Sequence, residues 1–158
     1  MLFARNVTGP LSSLLKQFDA AVAKNKDADM RSFAVFLTDD SEAMEPKLKE
    51  LASKEKLSDN VPLTIVEDIS GPEPYKISKD AEVTVLLYKQ GRVVSNLAFK
   101  PGEMKDKDVK AIVAQLPKIL PSEEELKEQA DRAARQKKLL EELKKKLEEE
   151  KKAKEDKK

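Results

Sequence analysis

The sequence predicts an α/β domain built on a mixed five-stranded sheet flanked by helices, followed by a long charged C-terminal helix. Three observations predict it. Apolar strand-like runs alternate with amphipathic stretches as far as about Leu120. The last two runs are separated only by Gln90 and Gly91, and from Ser122 onward the chain is almost entirely Glu, Lys, Arg, Ala and Leu. The expected division is therefore a globular domain over 1–120 and a helical tail over 121–158.

The elements follow in order. "MLFAR" is a strand, and Asn6, Thr8, Gly9 and Pro10 turn the chain out of it. Leu11, Leu14, Leu15, Phe18, Ala21 and Val22 then recur at three and four residues, one face of a helix. "SFAVFLT" (32–38) is a continuous apolar run, as a parallel strand covered on both faces requires. "DDSE" offers N-cap side chains for a second helix lined by Met44, Leu48, Leu51 and Ala52, with Pro46 expected in its first turn or at a kink. "VPLTIVE" (61–67) is a third strand and "SGPEP" breaks it. "VTVLLYK" alternates in side-chain type, Gln90 and Gly91 form a tight hairpin turn, and the chain returns antiparallel to Phe99. A last helix carries Val109, Ile112, Val113 and Leu116 before Pro117 and Pro121. Parallel strand–helix–strand units leading into a hairpin predict helices on both faces of the sheet.

Composition narrows the function. With 31 Lys plus Arg against 30 Asp plus Glu, no global field attracts nucleic acid or an anionic membrane, so neither is an expected partner. The chain has no cysteine and no histidine, which removes disulfides, thiolate catalysis, Cys-ligated metal and the usual neutral-pH general base. No Asp or Glu sits in an apolar context that nominates it as a replacement base, so the chain reads as a non-enzyme without a cofactor. Asp39, Asp40 and Glu42 cluster at the end of a strand, but helix capping explains them better than a metal site does.

The segment from "LTIVEDISGPEPYKIS" through "VTVLLYKQGRVV" to the last helix resembles the second half of thioredoxin-fold proteins. The additional unit with "FLTDD" and "LKELASKEKL" resembles the layout of peroxiredoxin-like and related thiol oxidoreductases. The likeness covers roughly 1–120. It implies a thioredoxin-like fold, and a reactive cysteine in the turn after the first strand. There this chain has "TGPL", Thr8-Gly9-Pro10-Leu11. A hydroxyl without a base does not replace a thiolate, and Leu11 replaces nothing. The family's cis-proline falls at Val83, before Thr84, and the arginine beside its reactive cysteine falls at or near Glu82. The frame persists without its chemistry. What the resemblance leaves is a peptide-contact surface beside the turn, at Val7, Thr8, Gly9, Pro10, Leu11, Val83 and Thr84.

The tail is the more distinctive feature. Ser122 and Glu125 form a capping box, and pairs such as Glu128 with Arg132, Glu141 with Lys145, Glu142 with Lys146 and Glu148 with Lys152 have the i to i+4 order that supports a solvated helix. Leu126, Ala133, Leu140 and Leu147 recur every seven residues and Leu143 fills an alternate seam position, whereas Gln129, Gln136 and Glu150 do not. Two readings stay open: a short, weak coiled coil for self-association or a partner helix, and a solvated single helix that frays toward its end.

The expected function is a non-catalytic protein-interaction or scaffolding module with a protein partner. The chain shows no leader and no apolar run of about twenty residues, so the default location is cytoplasmic. "MLFAR" begins inside a strand, as a start codon within a longer reading frame would. On that alternative the protein is a secreted or periplasmic thiol oxidoreductase or peroxidase relative whose cysteine lies upstream of Met1.

Overall fold

The computed structural model describes residues 1–155, with side chains described as far as residue 144. It divides into two compact units, Met1–Leu120 and Pro121–Lys158. The first unit runs β1 (Leu2–Ala4), α1 (Gly9–Lys24), β2 (Ala34–Leu37), α2 (Ser41–Glu55), β3 (Leu63–Val66), β4 (Val83–Lys89), β5 (Arg92–Phe99) and α3 (Asp106–Val113). The strands form one five-stranded sheet in the order β3-β2-β1-β4-β5. β1, β2 and β3 are parallel, β4 runs antiparallel to β1, and β5 antiparallel to β4.

Helix ends follow their capping residues. Thr8 precedes α1 in extended conformation and Asp40 accepts the Ala43 N–H at 2.8 Å at the start of α2. Pro46 sits beyond the first turn of α2, at its sixth position, on the exposed side. The carbonyl it leaves without a helical donor belongs to exposed Glu42, which water can reach, so the helix continues past it. α3 ends at Val113 and a 3₁₀ turn, Leu116–Lys118, carries the chain on through Pro117.

Helices on both faces of the sheet were expected, and the structure corrects this. Leu2 and Ala4 of β1, Ala34 and Phe36 of β2, and Val83, Val85 and Leu87 of β4 form one core with Leu14 and Phe18 of α1, Leu48 of α2 and Ile112 of α3. All three helices of this unit therefore lie on one face. The reason is the direction of travel. Both crossovers step the same way, from β1 to β2 to β3, and right-handed crossovers that step the same way put their helices on the same side. α3 then packs beside α1.

The second face carries the opposite parity: Met1, Phe3, Val35, Leu37 and Leu86, with Phe33, Val66 and Ile77 against them. A chain segment covers part of it. Residues 67–82 cross over this face with a single 3₁₀ turn at Glu73–Tyr75, and the Tyr75 ring lies 5.1 Å from that of Phe3. Gly71 lies close against Leu37 of the sheet. Its φ is +73°, and a Cβ there would meet Ile77 Cδ1 at 2.9 Å and Leu37 Cδ1 at 3.0 Å.

The hairpin between β4 and β5 turns at Gln90 (φ 52°) and Gly91 (φ 77°), both left-handed as a type I′ turn demands. Lys89 pairs with Arg92 and Tyr88 with Val93, but Leu87 pairs with Ser95, so Val94 is an extra residue in β5. Beyond Leu120, α4 (Glu123–Glu155) begins on the expected capping box: Ser122 N–H donates to Glu125 Oε2 at 2.7 Å and Glu125 N–H to Ser122 Oγ at 3.2 Å. Glu128 and Arg132 approach to 3.9 Å. The pairs Glu141 with Lys145, Glu142 with Lys146 and Glu148 with Lys152 lie outside the described side chains. No helix among the described residues is long and apolar enough to cross a membrane.

Two predictions follow from this packing. Gly71→Ala should lower the unfolding free energy by about 1–3 kcal/mol in urea titration, because it adds both a strained φ and a clash. Gly9→Ala, where nothing lies within 4 Å of the added carbon, should change it by less than about 1 kcal/mol and in the stabilising direction. A separate prediction concerns Met1. When it carries a free amino group, that group is buried, donates to the Leu86 carbonyl at 3.0 Å, and has its pKa lowered from 8.0 to about 6 by desolvation. Between those values the unfolded chain binds more protons, so stability should rise with pH from 6 to 8, by up to roughly 2 kcal/mol, and be flat above 8. Denaturant midpoints across that range check it, and acetylating the amine should flatten the profile.

Candidate functional site

The turn from β1 into α1 is built by ordinary helix initiation. Thr8 Oγ1 accepts the Leu11 N–H at 3.4 Å, and the Thr8 carbonyl accepts both the N–H (2.9 Å) and the hydroxyl (3.0 Å) of Ser12. Pro10 occupies the first helical turn, where its missing N–H costs nothing. Gly9 is exposed and has no left-handed φ, so neither space nor backbone conformation demands glycine there.

Beside this turn lies a hollow of about 330 Å³ lined by Asn6, Val7, Ser12, Met44, Lys47, Glu50, Leu51 and Lys54. It opens between the start of α1 and α2. Its walls hold charged and apolar groups but no thiol and no imidazole, so they can bind a polar or peptide group but supply no nucleophile of the kind the resemblance implies.

The residues expected to form one contact surface are only partly brought together. Val7, Thr8 and Pro10 are half-buried and Gly9 is exposed, so these four share the corner. Leu11 is fully buried under the helical layer. Val83 and Thr84 are buried too, and successive strand residues point to opposite faces: Val83 joins the helical-side core, and Thr84 lies on the other face, paired with Phe3. Thr84 Oγ1 has no hydrogen-bond partner there, nor has the buried Ser32 Oγ. The accessible part of the surface is the corner alone.

Glu82 is structural at this end of the sheet. Its carbonyl accepts the Arg5 N–H at 2.9 Å, its carboxylate accepts Asn6 Nδ2 at 3.2 Å and the Gly102 N–H at 3.4 Å, and its own N–H donates to Phe99. It ties the end of β1 to the loop after β5. At the end of β2, the Thr38 hydroxyl accepts the Asp40 N–H at 3.0 Å while Asp40 caps α2. Among the described residues no group of three His, Cys, Asp or Glu side chains converges to hold a metal ion.

Arg5 was missed by sequence reasoning. It continues the alternation of β1 onto the second face, where its Nε and Nη2 donate to the Ile69 carbonyl at 3.1 and 2.8 Å, and its Nη1 to the carbonyls of Ser78 (3.1 Å) and Ala81. One guanidinium thus holds both arms of the 67–82 segment. The signal available was a single arginine closing an apolar strand, which does not by itself reveal carbonyls more than sixty residues away.

Arg5→Ala should destabilise the domain by about 1–3 kcal/mol and raise amide exchange across residues 68–81 before the rest of the sheet opens. Arg5→Lys should rescue this only in part, since a point charge cannot span the three carbonyls. Hydrogen exchange read by mass spectrometry checks both. No protein-family model matches this chain, and neither a curated protein nor a solved structure matches it, so function has to be read from the geometry of the chain itself.

Proposed function

We propose that this chain is a non-catalytic, thioredoxin-like protein-interaction module whose partner docks on its C-terminal helix. The observation that carries the reading is on α4, where Leu139, Leu140 and Leu143 are 57%, 55% and 50% exposed. Three large apolar side chains clustered within five positions of a solvated helix are the kind of patch that a partner covers. Leu126 and Ala133 extend the stripe toward the start of the helix, half-buried and exposed respectively, while the side chain of Leu147 lies outside the described residues.

The thioredoxin-like part of the reading is supported by order and direction. β2 and β1 are parallel, β4 and β5 are an antiparallel hairpin on the other side of β1, and the "TGPL" turn leaves β1 directly into α1. The non-catalytic part is supported by the absence of cysteine from the sequence and by the burial of Leu11.

Flanking charges favour a partner helix over a second copy of this one. With Leu126, Ala133 and Leu140 on the seam, a parallel pair of identical helices sets Arg132 of one against Lys137 of the other. A partner with acidic flanks removes that repulsion.

The test is affinity capture from the source cells with the full chain and with the L140E/L143E variant. The expected result is at least one protein retained by the first and lost by the second, while melting temperature changes by less than about 2 °C because the substituted sites are exposed. Identical captures would remove the tail from the reading. Turnover of insulin disulfides or peroxide above the buffer rate would overturn its non-catalytic part.

A further inference from the structure

The two edges of the sheet are defended differently. β5 carries Arg92 at its start, Lys100 just past its end, and the extra residue Val94, all of which discourage another strand from pairing with it. β3 has acidic residues just past its end, Glu67 and Asp68, but neither a charge at its start nor an extra residue within it. Leu63, Thr64, Ile65 and Val66 contain no charge and no proline, and their register with β2 is unbroken.

One side of the β3 backbone is engaged. The carbonyls of Pro62 and Val66 accept the N–H groups of Ala34 and Thr38 at 2.9 and 3.2 Å. In a parallel ladder the intervening residues direct their N–H and C=O groups the other way, so those of Leu63 and Ile65 face outward from the last strand of the sheet.

Beside that edge, on the helical side, is a groove of about 380 Å³ between α2 and β3. Leu48, Ala52, Leu57, Val61, Leu63 and Ile65 give it an apolar lining, and Glu45, Lys49, Ser58 and Asp59 line it as well. A strand added along β3 would place every second side chain in this groove. Charge selects the occupant further. Asp59 stands before the strand, and Glu67 and Asp68 stand after it, with no basic residue between. The groove's own Lys49 is neutralised by Glu45 at 2.6 Å, an ion pair that also holds the Glu45 carboxyl below its ordinary pKa by hydrogen bond and charge. A second copy of β3 laid antiparallel would bring acid against acid.

We propose that β3 and α2 form a docking site for an extended peptide from another protein, one with alternating apolar residues flanked by basic ones, which pairs with the outward backbone of Leu63 and Ile65 as a sixth strand. The site shares no residue with the α4 stripe.

The probe is a labelled nonapeptide with blocked ends, Lys-Thr-Val-Ser-Val-Ser-Val-Thr-Lys, titrated into the full chain by fluorescence anisotropy beside an analogue whose two lysines are glutamates. The lysine peptide should bind at least tenfold more tightly than the glutamate peptide, and its binding should slow amide exchange at Leu63 and Ile65. Ala52→Trp, which fills the groove, should weaken binding at least tenfold. Asp59→Lys, at an exposed position that cannot disturb the core, should weaken it severalfold and reduce its salt dependence. Absence of binding to the lysine peptide, equal binding of the two peptides, binding unaffected by both substitutions, or protection at Arg92–Phe99 instead of β3 would each overturn the proposal. So would self-association of the free protein that protects Leu63 and Ile65, which would make the occupant a second copy.

Discussion

Everything in the domain is placed by the demands of β1. It is only three residues long, yet it lies at the centre of the sheet, paired with β2 on one side and β4 on the other, and buried on both faces. Leu2 and Ala4 require a layer on one side, which the helices supply. Met1, Phe3 and Arg5 require a layer on the other, and the 67–82 segment supplies it. Because Arg5 follows the same alternation as Phe3, its half-buried guanidinium lies on the face that the segment crosses and donates to the segment's backbone carbonyls, so the strand that the segment covers also anchors it.

The corner after β1 is held by packing. A reactive thiol at a helix start has to be reached by its substrate and activated by its surroundings, both of which limit how much apolar area can be buried there. Leu11 has neither obligation. Fully buried, a leucine contributes about 1.5–3 kcal/mol relative to an exposed one, and the helix start becomes part of the core.

Local physics was legible in the sequence wherever it acted within a few residues. The three- and four-residue spacing of Leu11, Leu14, Leu15 and Phe18, the Gln90-Gly91 turn, and the Ser122 to Glu125 capping box all depend on neighbours in the chain, and the structure contains each of them. What required knowing the strand order was not legible. Element order leaves the direction of each crossover open, so the side on which α2 packs could not be read from its own sequence. The burial of Val83 and Thr84 on opposite faces, the reach of Arg5 to Ile69 and Ser78, and the exposed edge of β3 are all consequences of which strand lies beside which.

The extra residue at Val94 sets a rule of arithmetic for this hairpin. Counting back from the turn without it, Leu97 would pair with Thr84 and fall on the face away from the helices. With it, Leu97 pairs with Val85 and Phe99 with Val83, on the helical side. Because side-chain direction repeats every two residues, gaining or losing one residue in β5 inverts every position beyond the change, and gaining or losing two does not. Length variation in this part of the chain is thus a question of parity: descendants of the sequence can drift by even steps, whereas an odd step must be matched by a second odd step before Leu97 to keep the core closed.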